Sequence, residues 1–368
     1  MENLVEKSLF SGIYKDKRVL ITGHTGFKGS WLALWLEKMG AIVCGYSTEA
    51  PSEPAHIDLL NLKIKSVIGD IRNQELLEKT FEEFKPEIVF HLAAQPLVRL
   101  SYKDPIETYE TNVIGSLKVY EACRKCSSVQ SIVSITTDKV YENNEWLWGY
   151  RENDRLGGKD PYSSSKAAME ILTSSYIHSY FHPDNFSEHN MLVATVRAGN
   201  VIGGGDWAQD RLIPDIIKAS LRKEPVEIRS PHSTRPWQHV LEPLSGYLLL
   251  GQKLIERRQE FAQAFNFGPP LSEDLSVKNV VEILKEHWGV IDYIIKEPKE
   301  KLHEASLLKL DCTKALTLLN WSSAIDARKT LEMTIDWYKE FYEKGQCATE
   351  NDLNLYIRIA KKKKLSWT

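Results

Sequence analysis

Short apolar runs alternate with stretches of helical periodicity through the first half of the chain. Arg18–Thr22 (RVLIT), Ala41–Tyr46 (AIVCGY), Ser66–Gly69 (SVIG), Glu87–Leu92 (EIVFHL), Ser131–Ile135 (SIVSI) and Met191–Val196 (MLVATV) are apolar at successive positions, so each predicts a strand buried on both faces. Trp31–Met39, Leu76–Phe84, Thr111–Cys123 and Ser165–Tyr180 read as the helices between them. This alternation predicts an α/β fold: a doubly wound parallel sheet with helices on both faces. Beyond about residue 200 the pattern loosens. Gly203–Gly205, prolines and tryptophans interrupt it, although Val277–His287 and Leu331–Tyr342 keep a helical period. Residues 1–200 are expected to form the sheet domain that carries the chemistry. Residues 201–368 are expected to form a smaller C-terminal substrate-binding region, packed on the first with no flexible linker between. Lys361–Lys364 reads as a solvated terminal charge run.

Composition narrows the class. With 368 residues, 42% hydrophobic and 26% charged, the chain can bury a large core. A net charge of -3 gives no basic footprint for nucleic acid or for an anionic membrane. The N-terminal stretch MENLVEKSLFSGIYKDK is charged throughout, unlike a signal peptide, and no apolar run is long enough to span a bilayer. A cytoplasmic location is the expectation. Cys123 and Cys126 form a single C-x-x-C that closes a helical stretch. Without a second pair it reads as packing rather than as a zinc or redox site. No cluster at ligand spacing predicts a metal.

Three motifs carry chemistry. The first strand runs into Gly23-His24-Thr25-Gly26-Phe27-Lys28-Gly29, followed by a helix. Glycines there allow a tight turn and close approach to a pyrophosphate, and the helix N-terminus offers free N–H groups to the anion. Position in the first strand–helix unit makes this a dinucleotide turn of a Rossmann fold rather than a structural one. Tyr162 and Lys166 form a Y-x-x-x-K, which shares one helix face. A lysine ammonium there is expected to lower the phenol's pKa, so that it can take a proton from a hydroxyl. Thr137-Asp138-Lys139 follows the fifth strand, at the edge where parallel sheets place their chemistry. The plain alternative for that pair is a salt-bridging surface turn.

The G-x-x-G-x-x-G turn with the later Y-x-x-x-K resembles the extended short-chain dehydrogenase/reductase family. Asp70-Ile71-Arg72 resembles its adenine-contacting segment, Leu92-Ala93-Ala94 the segment beneath ribose and nicotinamide, and Asn112 its helix-distorting asparagine. Thr137-Asp138-Lys139, Arg197–Trp207 (RAGNVIGGGDW), Arg235–Leu244 (RPWQHVLEPL) and His303-Glu304-Ala305 look like the CDP-glucose 4,6-dehydratases within it. The resemblance spans nearly the whole chain. It implies NAD, held by Gly23, Thr25, Gly26, Phe27, Gly29, Asp70, Ile71, Leu92, Ala93, Ala94, Asn112, Tyr162 and Lys166. The second strand ends in Ser47-Thr48 with no acid until Glu49 and no arginine, so NADP stays open.

It also implies a reaction: oxidation of a nucleotide-activated hexose at C4, loss of water across C5 and C6, and return of hydride to C6. Thr137 would hold the sugar, Asp138 would act as acid at C6 with a raised pKa, and Lys139 would stand at C5 as base or as hydrogen-bond donor to the enolate. Gln95, Asn200, Arg211, Arg235 and His303 are the expected substrate contacts, Arg235 because its fork suits a pyrophosphate. Trp207 and Trp237 suit stacking or packing equally, and His239 reads as structural. A homo-oligomer, dimer or dimer of dimers, is implied through Asp104–Cys123 and Ser165–Tyr180. The rival readings are a nucleotide-sugar 4-epimerase, which has no need of Asp138-Lys139, and a non-catalytic NAD-binding sensor or scaffold.

Overall fold

A computed structural model describes residues 8–271, 275–296 and 307–368. Its centre is a seven-stranded, all-parallel sheet. The strands in chain order are β1 (Arg18–Thr22), β2 (Ile42–Ser47), β3 (Lys65–Ile68), β4 (Ile88–His91), β5 (Ser131–Ile135), β6 (Leu192–Ala198) and a seventh, Phe265–Phe267. Spatially the order is seventh strand, β6, β5, β4, β1, β2, β3. Strand order therefore reverses between β1 and β4, and a crevice opens beyond their C-terminal ends, as doubly wound sheets require. β4 and β5 are buried at every position, which explains their unbroken apolar runs.

The expected elements are present, with shifted ends. The first helix begins at Phe27, directly on the glycine turn, rather than at Trp31. The helix read from Ser165 runs Pro161–Tyr180: Asp160 caps it by accepting from the Ser163 N–H at 2.9 Å, and Pro161 fills its first turn. The segment read as a helix over Thr111–Cys123 is instead Pro105–Tyr109, a π-helical turn Glu110–Gly115, and Ser116–Lys125. Cys123 lies buried within it, where burial pushes its thiol up, and both C-x-x-C sulfurs are free thiols.

Residues past 200 do two jobs. Some rejoin the sheet: Phe265–Phe267 is its edge strand, and Leu241–Ile255 packs across its face. Others build a second core, in which Ile213, Ile216, Ile217, Val280, Leu284 and Trp337 meet. A division at residue 200 is thus crossed by the sheet itself. Trp207 belongs to this second core, packed edge-on to Trp337 and Tyr338 and tilted against Phe341, and its indole N–H donates to Tyr342 at 2.9 Å. The C-terminus departs from the solvated tail expected of it. Thr349–Lys362 is a helix, and although Lys362–Lys364 are exposed, Trp367 beyond them is 1% exposed and stacks on Phe10 and Tyr356. Burial of a large ring outweighs the pull of four lysines toward water. Among the described residues, no helix is long and apolar enough to cross a membrane.

Candidate active site

One cleft of about 1250 Å³ lies over the C-terminal ends of the strands. It exceeds the roughly 300–1,000 Å³ of a site for one drug-sized ligand, so it has room for a dinucleotide and a substrate together.

Gly23, Thr25, Gly26, Phe27 and Gly29 form one wall. Gly23 has φ +80°, and a Cβ there would stand 2.8 Å from the Ala93 nitrogen; a Cβ on Gly29 would meet the Gly23 carbonyl oxygen at 2.1 Å. Both glycines are therefore demanded by backbone contact, and they leave a close-fitting cradle at the N-terminus of Phe27–Lys38. The Thr25 hydroxyl is fixed by Ser47 at 2.7 Å and the Thr48 carbonyl at 3.1 Å. Leu92, Ala93 and Ala94 form the floor, with Asp70 and Ile71 at the far end. Both Asp70 carboxylate oxygens accept from the Arg72 guanidinium, and those bonds hold the carboxyl low. These features fit a dinucleotide.

Asn112 is the exception among the cofactor residues. It is fully buried and does not reach the cleft. Its side chain accepts from the Gln95 N–H at 2.8 Å and donates to the Gln95 carbonyl at 3.1 Å and the Ser165 hydroxyl at 2.9 Å. It sits in the π-helical turn, and it ties the floor loop to the Tyr162 helix. It positions both from behind the cleft wall.

Thr137, Asp138, Lys139, Tyr162 and Lys166 converge on the middle of the cleft. The Thr137 hydroxyl donates to Asp138 Oδ1 at 2.9 Å. Asp138 is 4% exposed, and burial raises its pKa against the opposing charges of Lys139, Arg235 and Lys28. That is the direction an acid needs. Tyr162 and Lys166 share their helix face, but the expected lowering of the phenol is not what the surroundings produce. Burial pushes Tyr162 up to about 12, over the opposing Thr137 hydrogen bond and Arg211 charge. Lys166 turns its ammonium to the Ile135 carbonyl at 3.1 Å, and burial lowers it to about 7.

On the substrate side, Gln95, Asn200, Arg211 and Arg235 all line the cleft. Gln95 spends its polar atoms internally, on Thr108 and Leu97, so it shapes the wall. Arg211 is anchored to Asp206 at 2.8 Å and acts electrostatically on Tyr162. Arg235 acts on Asp138. Trp237 lines the cleft with its N–H on the Leu275 carbonyl. His303 lies outside the described residues. His239 is fully buried and lowered to about 3 by burial, a neutral packing residue edge-on to Trp31.

Two further features emerge only in three dimensions. Lys28, inside the glycine turn, faces the cleft within electrostatic range of Asp138 and Lys166, and burial with the Arg211 charge lowers it to about 8. A lysine amid the glycines was its sole sequence signal. Glu170 and Arg197 form a buried ion pair at 2.8 Å, which Thr136 and Thr195 complete. It braces the Tyr162 helix against β6, with Thr136 tying in the end of β5.

The sheet order, glycine cradle and Tyr162/Lys166 pair define a dinucleotide-dependent enzyme of the Rossmann class. More narrowly, the chain belongs to the NAD dependent epimerase/dehydratase family, whose model matches residues 19–266. It is 48% identical over 338 residues to a CDP-glucose 4,6-dehydratase of Salmonella typhimurium, covering 91% of this chain and 93% of that one. Among solved structures, Epimerase Mth375 of Methanothermobacter thermautotrophicus superposes with TM-score 0.79 at 25% identity, over 93% of this chain and 96% of that one. MoeE5, in complex with UDP-glucose and NAD, gives TM-score 0.74 at 25% identity over 88% and 99%.

Proposed function

We propose that the chain is an NAD-dependent hydro-lyase that converts CDP-D-glucose to CDP-4-keto-6-deoxy-D-glucose and water. The observation that carries this is a buried carboxyl with a raised pKa, Asp138, flanked by Thr137 and Lys139 and set beside Tyr162. A 4-epimerase needs the phenol but has no use for an acid and a second proton carrier at that place. Similarity to the Salmonella dehydratase supports CDP-glucose as the substrate.

Tyr162 takes the proton of the C4 hydroxyl, with Thr137 holding that oxygen. NAD, when bound, supplies the hydride exchange, removing hydride from C4 and returning it to C6, together with a positive charge beside the phenol. Lys139 takes the C5 proton and holds it for return, and Asp138 protonates the departing C6 hydroxyl. The C5 proton is later restored, and the Tyr162 proton replaces the one Asp138 gave, so water is the net loss. Arg211 and Arg235 suit the diphosphate, and residues beyond 200 form most of the nucleotide-sugar wall. The dinucleotide contacts are those of the glycine cradle, with Asp70, Ile71 and Leu92–Ala94.

Assembly as a homodimer through Pro105–Lys125 and Pro161–Tyr180 is favoured by the apolar side chains these segments leave in water, Ile106 at 71% and Ile171 at 60% exposed. The deciding experiment uses CDP-glucose deuterated at C4. Expected are loss of one water and deuterium at C6 of the product. A product of unchanged mass inverted at C4 makes the protein an epimerase, and no turnover of any sugar nucleotide makes it a binding protein.

A further inference from the structure

From Tyr162 and Asp138 the cleft extends in two directions. One arm runs under the glycine turn to Asp70 and is suited to the dinucleotide. The other runs past Arg211 and between the helix Leu212–Leu221 and the strand Val226–Ile228. A nucleotide sugar with its hexose at Tyr162 and its diphosphate at Arg211 and Arg235 can set its base in this second arm.

Leu212, Ala219, Val226 and Ile228 give that arm apolar walls for the faces of a flat ring. Asp215 faces it one helical turn from Leu212 and from Lys218, and Arg229 faces it from the end of the strand. Other charged groups in the arm are engaged: Lys218 donates to the Trp207 carbonyl at 2.9 Å, and Arg222 pairs with Glu224 at 2.8 Å. The Asp215 carboxylate and the Arg229 guanidinium, both exposed where they line the cleft, make no side-chain hydrogen bond or ion pair with the described residues. Both line the same cleft, and the helix that carries Asp215 packs against the strand that Arg229 follows. An unpaired acceptor beside an unpaired planar donor, between apolar walls, is half of a base-recognition pattern.

Building on the reading of the chain as a nucleotide-sugar dehydratase, we propose that Asp215 and Arg229 select cytosine. The carboxylate accepts from the exocyclic 4-amino group, and the guanidinium donates to N3 and O2. Cytosine presents donor, acceptor, acceptor along that edge. Uracil and thymine present acceptor, donor, acceptor, which sets O4 against the carboxylate and N3–H against the guanidinium. A mismatch leaves both protein charges facing like groups, so the pair discriminates by repulsion as well as by attraction.

The test is calorimetric binding of CMP and of UMP to the full-length, NAD-loaded enzyme, with kcat/KM for CDP-glucose and UDP-glucose beside it. Wild type is expected to prefer CMP by about tenfold or more, the scale of one good bidentate base contact. Asp215→Asn and Arg229→Gln should each cut the CMP:UMP ratio about tenfold, and the double variant should remove it. Arg229→Lys, which keeps charge but loses the fork, should fall between. A ratio is insensitive to the fraction of folded protein, so partial misfolding does not imitate the effect. An unchanged ratio in both single variants overturns the assignment. If that happens while the wild type still dehydrates CDP-glucose, only the base reading falls; if the wild type dehydrates UDP-glucose and not CDP-glucose, the substrate reading falls with it.

Discussion

Asp138 and Lys139 are adjacent, yet their surroundings differ. Asp138 is buried with its oxygen on Thr137, whereas Lys139 is only half-buried on the open side of the cleft. Two proton carriers of different type can therefore act in sequence, the lysine at C5 and the acid at C6. Lys139→Met is expected to bind CDP-glucose and develop reduced-nicotinamide absorbance, then stall, with dehydration slowed about 100-fold or more, the size of a lost general base. Single-turnover absorbance with mass detection of product checks this. Normal water loss in that variant would remove Lys139 from the mechanism. That these residues would share one cleft was legible in the sequence because their types suggest a chemistry, a phenol with a lysine one turn on and an acid at a strand end, and the sheet edge gathers them. Lys28 and the Glu170–Arg197 pair were not, because their meaning depends on neighbours brought from far along the chain. Asn112 was legible as a helix-distorting asparagine, and it sits in the π-helical turn, but only the fold reveals that its side chain bonds Gln95 and Ser165 behind the cleft wall.

At the scale of elements, the glycine turn is the part least tolerant of change. A Cβ on Gly29 would meet the Gly23 carbonyl oxygen at 2.1 Å and the Gly23 carbonyl carbon and His24 Cα at 2.8 Å, all backbone atoms that cannot rotate away. Gly29→Ala must therefore push the helix Phe27–Lys38 off β1. The expected cost is about 1–3 kcal/mol of stability, as for other overpacked sites, together with a large loss of NAD affinity. Thermal melting with and without NAD reads both; a variant that gains as much stability from NAD as wild type contradicts the cradle. Strand–helix alternation was readable where strands are buried on both faces, as β4 and β5 are; β3, at the sheet edge, is exposed at three of four positions, against the expectation of a strand buried on both faces. Where two periodicities meet, as at Glu110–Gly115, the pattern reports a helix but not its π-helical turn. The dock of Trp367 escaped notice because a lone tryptophan after four lysines has no period at all.

For the whole molecule, the surface poses a question that one chain does not answer. Ile106, Ile114, Ile171 and Tyr180 lie on two segments, one of them the helix that carries Tyr162, and expose 71%, 44%, 60% and 50% of their area. These segments also pack on each other, Pro105–Tyr109 and the π-helical turn against Pro161–Tyr180, so covering them would stiffen the scaffold that aims Tyr162. A two-fold contact places each side chain in the interface twice. Ile171→Glu then exchanges two buried isoleucines, each worth about 1.5–3 kcal/mol, for two carboxylates of the same sign. Sedimentation equilibrium should find wild type at twice the chain mass of 42.1 kDa or a higher even multiple, and Ile171→Glu should lower that assembly by a factor of two. Activity should fall with it, more steeply at low protein concentration than at high, because the monomer loses the brace behind its catalytic helix. If Ile106→Glu and Ile171→Glu together leave the mass unchanged, the subunits meet on another face, and these isoleucines have a different partner.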